Sequence, residues 1–243
     1  MARQCIAVAE RIWEKEIHAE PVFYRNVGVP NDLDEEKTVA AVELYLATGK
    51  EKYLEFIQDH SSYIMENIDK VGWAVGRVSS ELDNKKFLKR FDEKLKVYNQ
   101  LMQETLSRNP YGVRLDPQVW GYGWNIIWSM YKHYYLIKNY PGIFSIDPLL
   151  DCNEFQLGKH PYSNVSYVSG VGTGIPIPAF GPNRSHYSYV PGGHFSGVNL
   201  IQPDFPELLE GFPFSWQQSE YIIHAGSAYM FTILAADKLL NGE

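Results

Sequence analysis

Apolar residues recur every three or four positions over much of the chain, which is the period of an amphipathic α-helix. The first such run comprises Cys5, Ile6, Ala9, Ile12, Trp13 and Ile17. Because Cys5 lies on this apolar face, we expect it to be a buried small side chain. A second helix is predicted from a cap at Asn31 or Asp32 to a stop signal at Gly49, with acidic residues in its first turn.

The same period predicts further helices in the first two thirds of the chain. They run from Glu51 towards Ile64, from Phe87 through Met102, from near Gly123 through Tyr135, and from Pro148 to Leu157. Between Val71 and Ser80, the glycines and Trp73 predict a loop instead.

Residues 158–215 lack this helical period. Gly, Pro, Ser, Asn and aromatic residues replace it over a stretch far longer than ordinary loops. The aromatic residues favour a functional loop over a disordered one, and Val165 to Val168 could form a short extended piece. A last helix follows from Tyr221 to Ala236, and its apolar residues cover most of its circumference, which predicts deep burial.

Roughly six helices with short connections favour antiparallel neighbours packed in layers. We therefore predict a mainly α fold, in a single domain over residues 1–243, with the long aromatic loop before the last helix.

The composition narrows the classes of partner. Hydrophobic residues make up 45% of the chain and charged residues 21%, as in ordinary globular proteins. The formal net charge of −7 argues against nucleic acid and anionic membranes as partners. A neutral polysaccharide is indifferent to that charge, and the 17 Tyr and 6 Trp provide rings on which sugars can stack. We find no signal-peptide core or membrane span, and the localisation stays open because an upstream segment could carry a signal.

We predict neither a metal nor a cofactor. Cys5 and Cys152 lack metal-type spacing, and the histidines form no HExxH motif. Gly192-Gly193 is not followed by a Walker lysine, so a phosphate-binding loop has no support.

Several stretches, in the right order, resemble motifs of glycoside hydrolase family 9. Asp34-Glu35 and the later Glu43-Leu44-Tyr45-Leu46-Ala47-Thr48-Gly49 are similar to a family helix that opens with DE and closes on ELYxATG. Trp120-Gly121-Tyr122-Gly123-Trp124 resembles its tryptophan–glycine helix start, and Ser166-Tyr167-Val168-Ser169-Gly170-Val171-Gly172 resembles its SYVTGxG segment.

The most informative stretch is Ser219-Glu220-Tyr221-Ile222-Ile223-His224-Ala225, which is similar to the family's NEVAIxxNA, where the Glu is the proton donor. The resemblance covers the later half of the family's catalytic domain. It implies a partial or complete (α/α) toroid of antiparallel helix pairs, of the six-hairpin glycosidase type. It also implies an inverting hydrolase of β-linked glucans or oligosaccharides, with Glu220 as general acid on the last helix.

Inverting hydrolysis needs a second carboxylate that activates water, roughly 6.5–9.5 Å from the acid. The family's base is an Asp in an N-terminal DAGD segment, which is absent from this sequence. Asp34 and Asp204 are the other candidates, although we favour structural roles for both, as a helix-start charge and a turn residue respectively. We expect the base to lie in an N-terminal half of the same enzyme.

Substrate binding is predicted for Arg184, His186, Tyr167 and Trp216. The family's HHR motif falls on Pro182-Asn183-Arg184, where only the arginine is retained, and His186 or His194 could replace a missing histidine. Arg184 could donate paired hydrogen bonds to sugar hydroxyls or anchor neighbouring carbonyls. Tyr167 and Trp216 could be stacking platforms or could pack the loop against the helices.

Together these patterns predict a glycoside hydrolase that associates with an N-terminal half or with itself, because half of a helical toroid exposes a large apolar face. The alternatives are a non-catalytic carbohydrate-binding or assembly protein and a purely structural helical scaffold.

Overall fold

The computed structural model describes residues 2–18, 33–115, 120–160, 165–172, 190–198 and 216–242. In these ranges the protein is mainly helical, as predicted, and its non-helical pairing includes two isolated antiparallel bridges. The helices are α1 (Ala2–Glu16), α2 (Leu33–Thr48), α3 (Lys52–Asp59), α4 (Ser61–Glu66), α5 (Ile68–Val75), α6 (Lys85–Leu106), α7 (Gly123–Asn139), α8 (Asp147–Gln156), α9 (Trp216–Ser219) and α10 (Ile223–Asn241). None of them is long and apolar enough to cross a membrane.

Contacts divide the chain into two compact units. Unit 1 comprises Met1–Gln100 and Lys138–Ile143, and unit 2 comprises Leu101–Ile137 and Phe144–Glu243. The prediction of a single domain stays a prediction.

Unit 1 is a set of helices around an apolar core, in which α2 packs against α1, α3 and α5. Tyr53, Ile57 and Phe91 have no exposed surface. Trp13 of α1 packs edge-on against Tyr53 and Phe56, with ring centroids 5.4 and 4.9 Å apart. These contacts attach α1 to the rest of the unit.

Two predictions in unit 1 are wrong. The helix expected from Glu51 to Ile64 is interrupted at His60, whose ring stacks on Phe56 and whose Nδ1 lies 2.9 Å from the Phe56 carbonyl oxygen. The loop expected at residues 71–80 contains helix α5 instead, with five consecutive buried residues, Val71 to Val75. Its Gly72 permits close packing, because a Cβ there would lie 3.1 Å from the Ile68 side chain.

A third correction concerns Cys5, which is exposed rather than buried. No residue of α1 is buried, and Ala9 and Ile12 on the same apolar face are exposed together with Cys5.

Unit 2 contains the end of α6, most of α7, and helices α8 to α10. Its core includes Ile127, Phe144, Leu149 and Phe155, all almost completely buried. Helix α8 packs against α10, where the Asn153 side chain donates to the carbonyl of Thr232 at 3.4 Å.

The last helix, α10, is buried on one face only, so the prediction of deep burial is wrong. The buried face consists of small residues, Ala225, Ala228, Thr232, Ala235 and Ala236. The large apolar residues Ile223, Met230, Leu234 and Leu240 are instead all exposed. Small side chains on one face allow close packing, which leaves the large ones on the outside.

Candidate functional site

Glu220 lies in an extended segment between α9 and α10, three residues before α10 begins. The expectation that Glu220 lies on the last helix is therefore wrong. The backbone of this segment pairs with another chain segment instead of continuing a helix: Phe195 forms an antiparallel bridge with Tyr221, and the Ser196 amide donates to the Glu220 carbonyl at 2.9 Å. Glu220 itself is half-buried.

Ser196 connects the Glu220 segment to the start of α7. Its carbonyl accepts a 2.7 Å hydrogen bond from the Gly123 amide, the first residue of α7. Its hydroxyl donates to the Gln217 carbonyl at 2.6 Å. Gly123 and Glu220 thus bind the same residue, which fixes the Glu220 backbone beside the first turn of α7.

The close approach of these segments requires glycine at two positions. Gly121 donates to the Gln217 carbonyl at 2.9 Å, and a Cβ on Gly121 would overlap the backbone of Ser196 and Gly197. Gly197 has φ +79°, and a Cβ there would overlap the Tyr167 ring. The tryptophan–glycine stretch therefore has a physical reason to contain glycine.

We call the place where residues 195–197, residues 217–220 and the start of α7 meet the junction. Next to it lies an aromatic strip, which comprises Trp120, Trp124, Trp128 and His224. Trp124 is 6.3 Å from both Trp120 and His224 between ring centroids, and Trp128 is 5.9 Å from His224. Trp128 and His224 are exposed, whereas Trp120 and Trp124 are half-buried. Such a row of rings can stack against the C–H faces of sugars.

Trp124 and Trp128 fall on one predicted helix, but no motif in the sequence assigns them to a site. Their spacing of four residues puts them on one face of α7, which was an available signal. The sequence does not predict that His224 belongs to the strip, because its contact with Trp128 joins residues far apart in the chain.

A buried polar centre lies on the inner side of the same segments. His194 is almost fully buried, and its Nε2 donates to Gln156 Oε1 at 2.8 Å. The Gln156 amide in turn lies 3.3 Å from the Gly123 carbonyl, to which it donates. The His194 ring stacks on Tyr229, with centroids 5.4 Å apart. Burial lowers the pKa of His194 to about 3, so its imidazole is neutral at pH 7.

The neighbouring Cys152 is also buried, and its burial raises the pKa of the thiol. So weakly basic an imidazole does not take the proton of so weakly acidic a thiol, and the two groups therefore form no nucleophilic pair. His194 therefore has a packing role, and the idea that it replaces a substrate-binding histidine finds no support in its position.

Tyr167 is completely buried, so no face of its ring is open to a sugar. The ring stacks on His160 with centroids 4.5 Å apart, and the hydroxyl accepts a 2.9 Å hydrogen bond from the Val198 amide. The predicted extended piece nearby has a counterpart in the bridge between Val168 and His194. Tyr167 is a packing residue of the junction rather than a stacking platform.

The other predicted site residues have different outcomes. Arg184, His186 and Asp204 lie outside the described residues. Trp216 begins α9, and its side chain lies outside them too. Asp34 is an exposed residue in the first turn of α2, in unit 1. Within the described part of the chain, no group of three or more His, Cys, Asp or Glu side chains could hold a metal ion.

A scan of protein-family models found no match to this chain, and a search of curated proteins found none either. The resemblance to glycoside hydrolase family 9 therefore rests on the sequence motifs.

Proposed function

We propose that this protein is a glycoside hydrolase that acts on β-linked glucans or related oligosaccharides, with Glu220 as general acid. One structural observation carries the proposal: Ser196 holds the Glu220 segment against the first residue of α7, beside the aromatic strip. A carboxyl group and a row of aromatic rings are the two parts that protonation and binding of a sugar require.

In the proposed reaction, the aromatic strip holds the sugar rings by stacking while Glu220 donates its proton to the leaving glycosidic oxygen. A second carboxylate accepts a proton from water, and that water attacks the anomeric carbon from the opposite face, which inverts its configuration. We propose that this base belongs to a separate N-terminal half of the enzyme, since the motifs resemble only the later half of the family's domain.

The aromatic strip also favours a second candidate, a non-catalytic carbohydrate-binding or assembly protein. The strip needs no second carboxylate to bind a glycan, because stacking and the exclusion of water suffice for binding. The two candidates share the binding surface and differ only in hydrolysis.

Hydrolysis is tested by incubating the protein with a soluble β-1,4-glucan oligosaccharide and measuring released reducing sugar. Sodium formate is added to a parallel assay, because a small carboxylate can accept the proton of the attacking water in place of the missing base, and the product is still a reducing sugar. We expect Glu220→Gln to lower the rate by about 100-fold or more, the contribution typical of a general acid. Glu154→Gln, a change at an exposed carboxylate of α8, is the matched control and should leave the rate unchanged.

Binding is tested by calorimetric titration with the same oligosaccharide. Trp128→Ala should weaken binding by about tenfold, while Leu234→Ala, which removes an exposed apolar side chain outside the strip, should not. Binding without hydrolysis in either assay supports the carbohydrate-binding candidate. Absence of both contradicts both candidates and leaves the structural scaffold.

A further inference from the structure

A large apolar groove lies between α1 and α2 in unit 1, with a volume of about 970 Å³. Cys5, Ala9 and Ile12 line it on α1, and Leu33, Ala40 and Ala47 line it on α2. Residues three, four or seven apart lie on the same face of a helix, so each helix contributes one continuous stripe to the groove.

The groove is open in this structure. No residue of α1 is buried, and Ile12 is 55% exposed. Isolated helices of this length are marginally stable, and amphipathic helices are stabilised mainly by packing of their apolar face. Trp13 packs against Tyr53 and Phe56. Farther along the stripe, Cys5 and Ala9 are exposed, and no other described residue covers them.

Small residues on both helices leave room for a third helix in the groove. Ala9, Ala40 and Ala47 are small, so the ridge of another helix can approach closely between the two stripes. Amphipathic helices commonly bind in such grooves through apolar anchors at positions i, i+3 or i+4, and i+7.

The charged residues of the groove favour a cationic partner. Glu16, Glu36, Glu43 and Lys37 line it, and Glu43 pairs with Arg77. Among the described residues, Glu16 and Glu36 have no ion-pair partner. A second copy of the groove would bring like charges together, whereas Lys or Arg side chains would complement the two carboxylates.

We propose that this groove binds an amphipathic helix of another polypeptide, with an apolar stripe flanked by Lys or Arg residues. The apolar side chains of that helix would fill the groove, and its cations would lie at Glu16 and Glu36. The proposal does not depend on glycosidase activity, because the groove belongs to unit 1 and Glu220 belongs to unit 2.

Two synthetic helices of about 18 residues provide the probes, long enough to form helix when bound. Both carry the same Leu/Ala stripe, one with Lys and the other with Glu beside it. Fluorescence anisotropy of the labelled peptides, titrated with the full chain, measures binding. We expect the Lys peptide to bind at least about tenfold more tightly, with affinity that falls as salt is added.

Charge reversal identifies the site. The double variant Glu16→Lys/Glu36→Lys should reverse the preference, because it replaces both carboxylates by cations at exposed positions, and circular dichroism checks that its helix content is unchanged. Glu55→Lys/Glu93→Lys changes the net charge equally at exposed positions outside the groove lining and should keep the original preference. Ala40→Trp should fill the groove and abolish binding of both peptides.

Three results would overturn the proposal. Equal binding of the two peptides would show that the acidic residues do not select the partner. Binding of neither would show that the groove is not a helix site. A concentration-dependent dimer in sedimentation experiments that Ala40→Trp disrupts would identify a second copy of this chain as the occupant.

Discussion

Inside each of the two units, a different kind of contact holds the chain segments together. In unit 1, regular helices bury large apolar side chains such as Tyr53, Ile57 and Phe91. In unit 2, three short segments, residues 165–172, 190–198 and 216–222, are joined to one another and to α7 by backbone hydrogen bonds. The stability of unit 1 depends on the volume of its buried side chains, whereas the stability of the junction in unit 2 depends on the close approach of its backbone segments. Substitutions should therefore have different effects in the two places.

The largest effect is expected from Gly197→Ala in unit 2. The φ of +79° disfavours any residue with a Cβ, and the added methyl would overlap the buried ring of Tyr167. We expect a loss of about 3–5 kcal/mol in the free energy of unfolding, from backbone strain and overpacking together. Urea denaturation followed by circular dichroism measures it.

Gly226→Ala is the control in the same unit. A Cβ at this position of α10 meets no atom within 4 Å. Alanine has a higher helix propensity than glycine, so this substitution should stabilise the protein by about 1 kcal/mol. If both variants had similar stability, the junction would not depend on close backbone approach.

Ile57→Ala tests the contrasting expectation for unit 1. Ile57 has no exposed surface, and removal of its side chain leaves a cavity that costs about 3 kcal/mol. Ile12→Ala is the matched change on α1, where the side chain is largely exposed, and it should cost less than about 1 kcal/mol. Equal losses at the two positions would show that the α1 face is covered in solution.

The sequence period predicted the regular helices well but not the use of glycine. Phe87 through Met102 matches α6, and the helices near Gly123 and Pro148 also formed. Gly72, which suggested a loop, instead permits close packing inside α5. The same residue type serves both purposes, and only the tertiary contacts distinguish them.

The candidate site was predicted in part. The motifs singled out Glu220, but its position before α10 depends on pairing with Phe195 and Ser196, which local periodicity does not encode. For the same reason, the sequence left Tyr167 open as a stacking platform or a packing residue, and the structure shows its ring buried. Residues in irregular segments are placed by long-range contacts, and a single sequence contains little information about them.

The pH dependence of stability should show the contribution of the buried polar centre in unit 2. Burial lowers the pKa of His194 from 6.5 to about 3. Between these pH values the unfolded chain binds a proton at His194 that the folded protein does not. The contribution of the neutral His194 to the free energy of unfolding is therefore fully present above pH 6.5 and is lost as pH falls towards 3. We expect the free energy of unfolding to fall by up to about 1.4 kcal/mol per pH unit in this range.

The substitution His194→Gln removes this titration. Its stability at pH 7 will be lower, but the slope of stability against pH between 6 and 4 should be shallower than in the parent protein. Burial also lowers the pKa of His133, so His133→Gln should reduce the slope in the same direction. An identical slope in the parent and in His194→Gln would show that His194 is protonated in the folded state.

The smallest effect is expected at the surface of unit 2. Lys159 lies 2.7 Å from Glu154 and 3.2 Å from Asp151, and its hydrogen bonds to these carboxylates raise the pKa of the ammonium group. All three side chains are substantially exposed, so water and salt screen the pairs. Lys159→Ala should lower the melting temperature by less than about 2 °C, and by less still in 1 M salt. A shift as large as that of Gly197→Ala would mean that the surface ion pairs, rather than the backbone junction, dominate the stability of this unit.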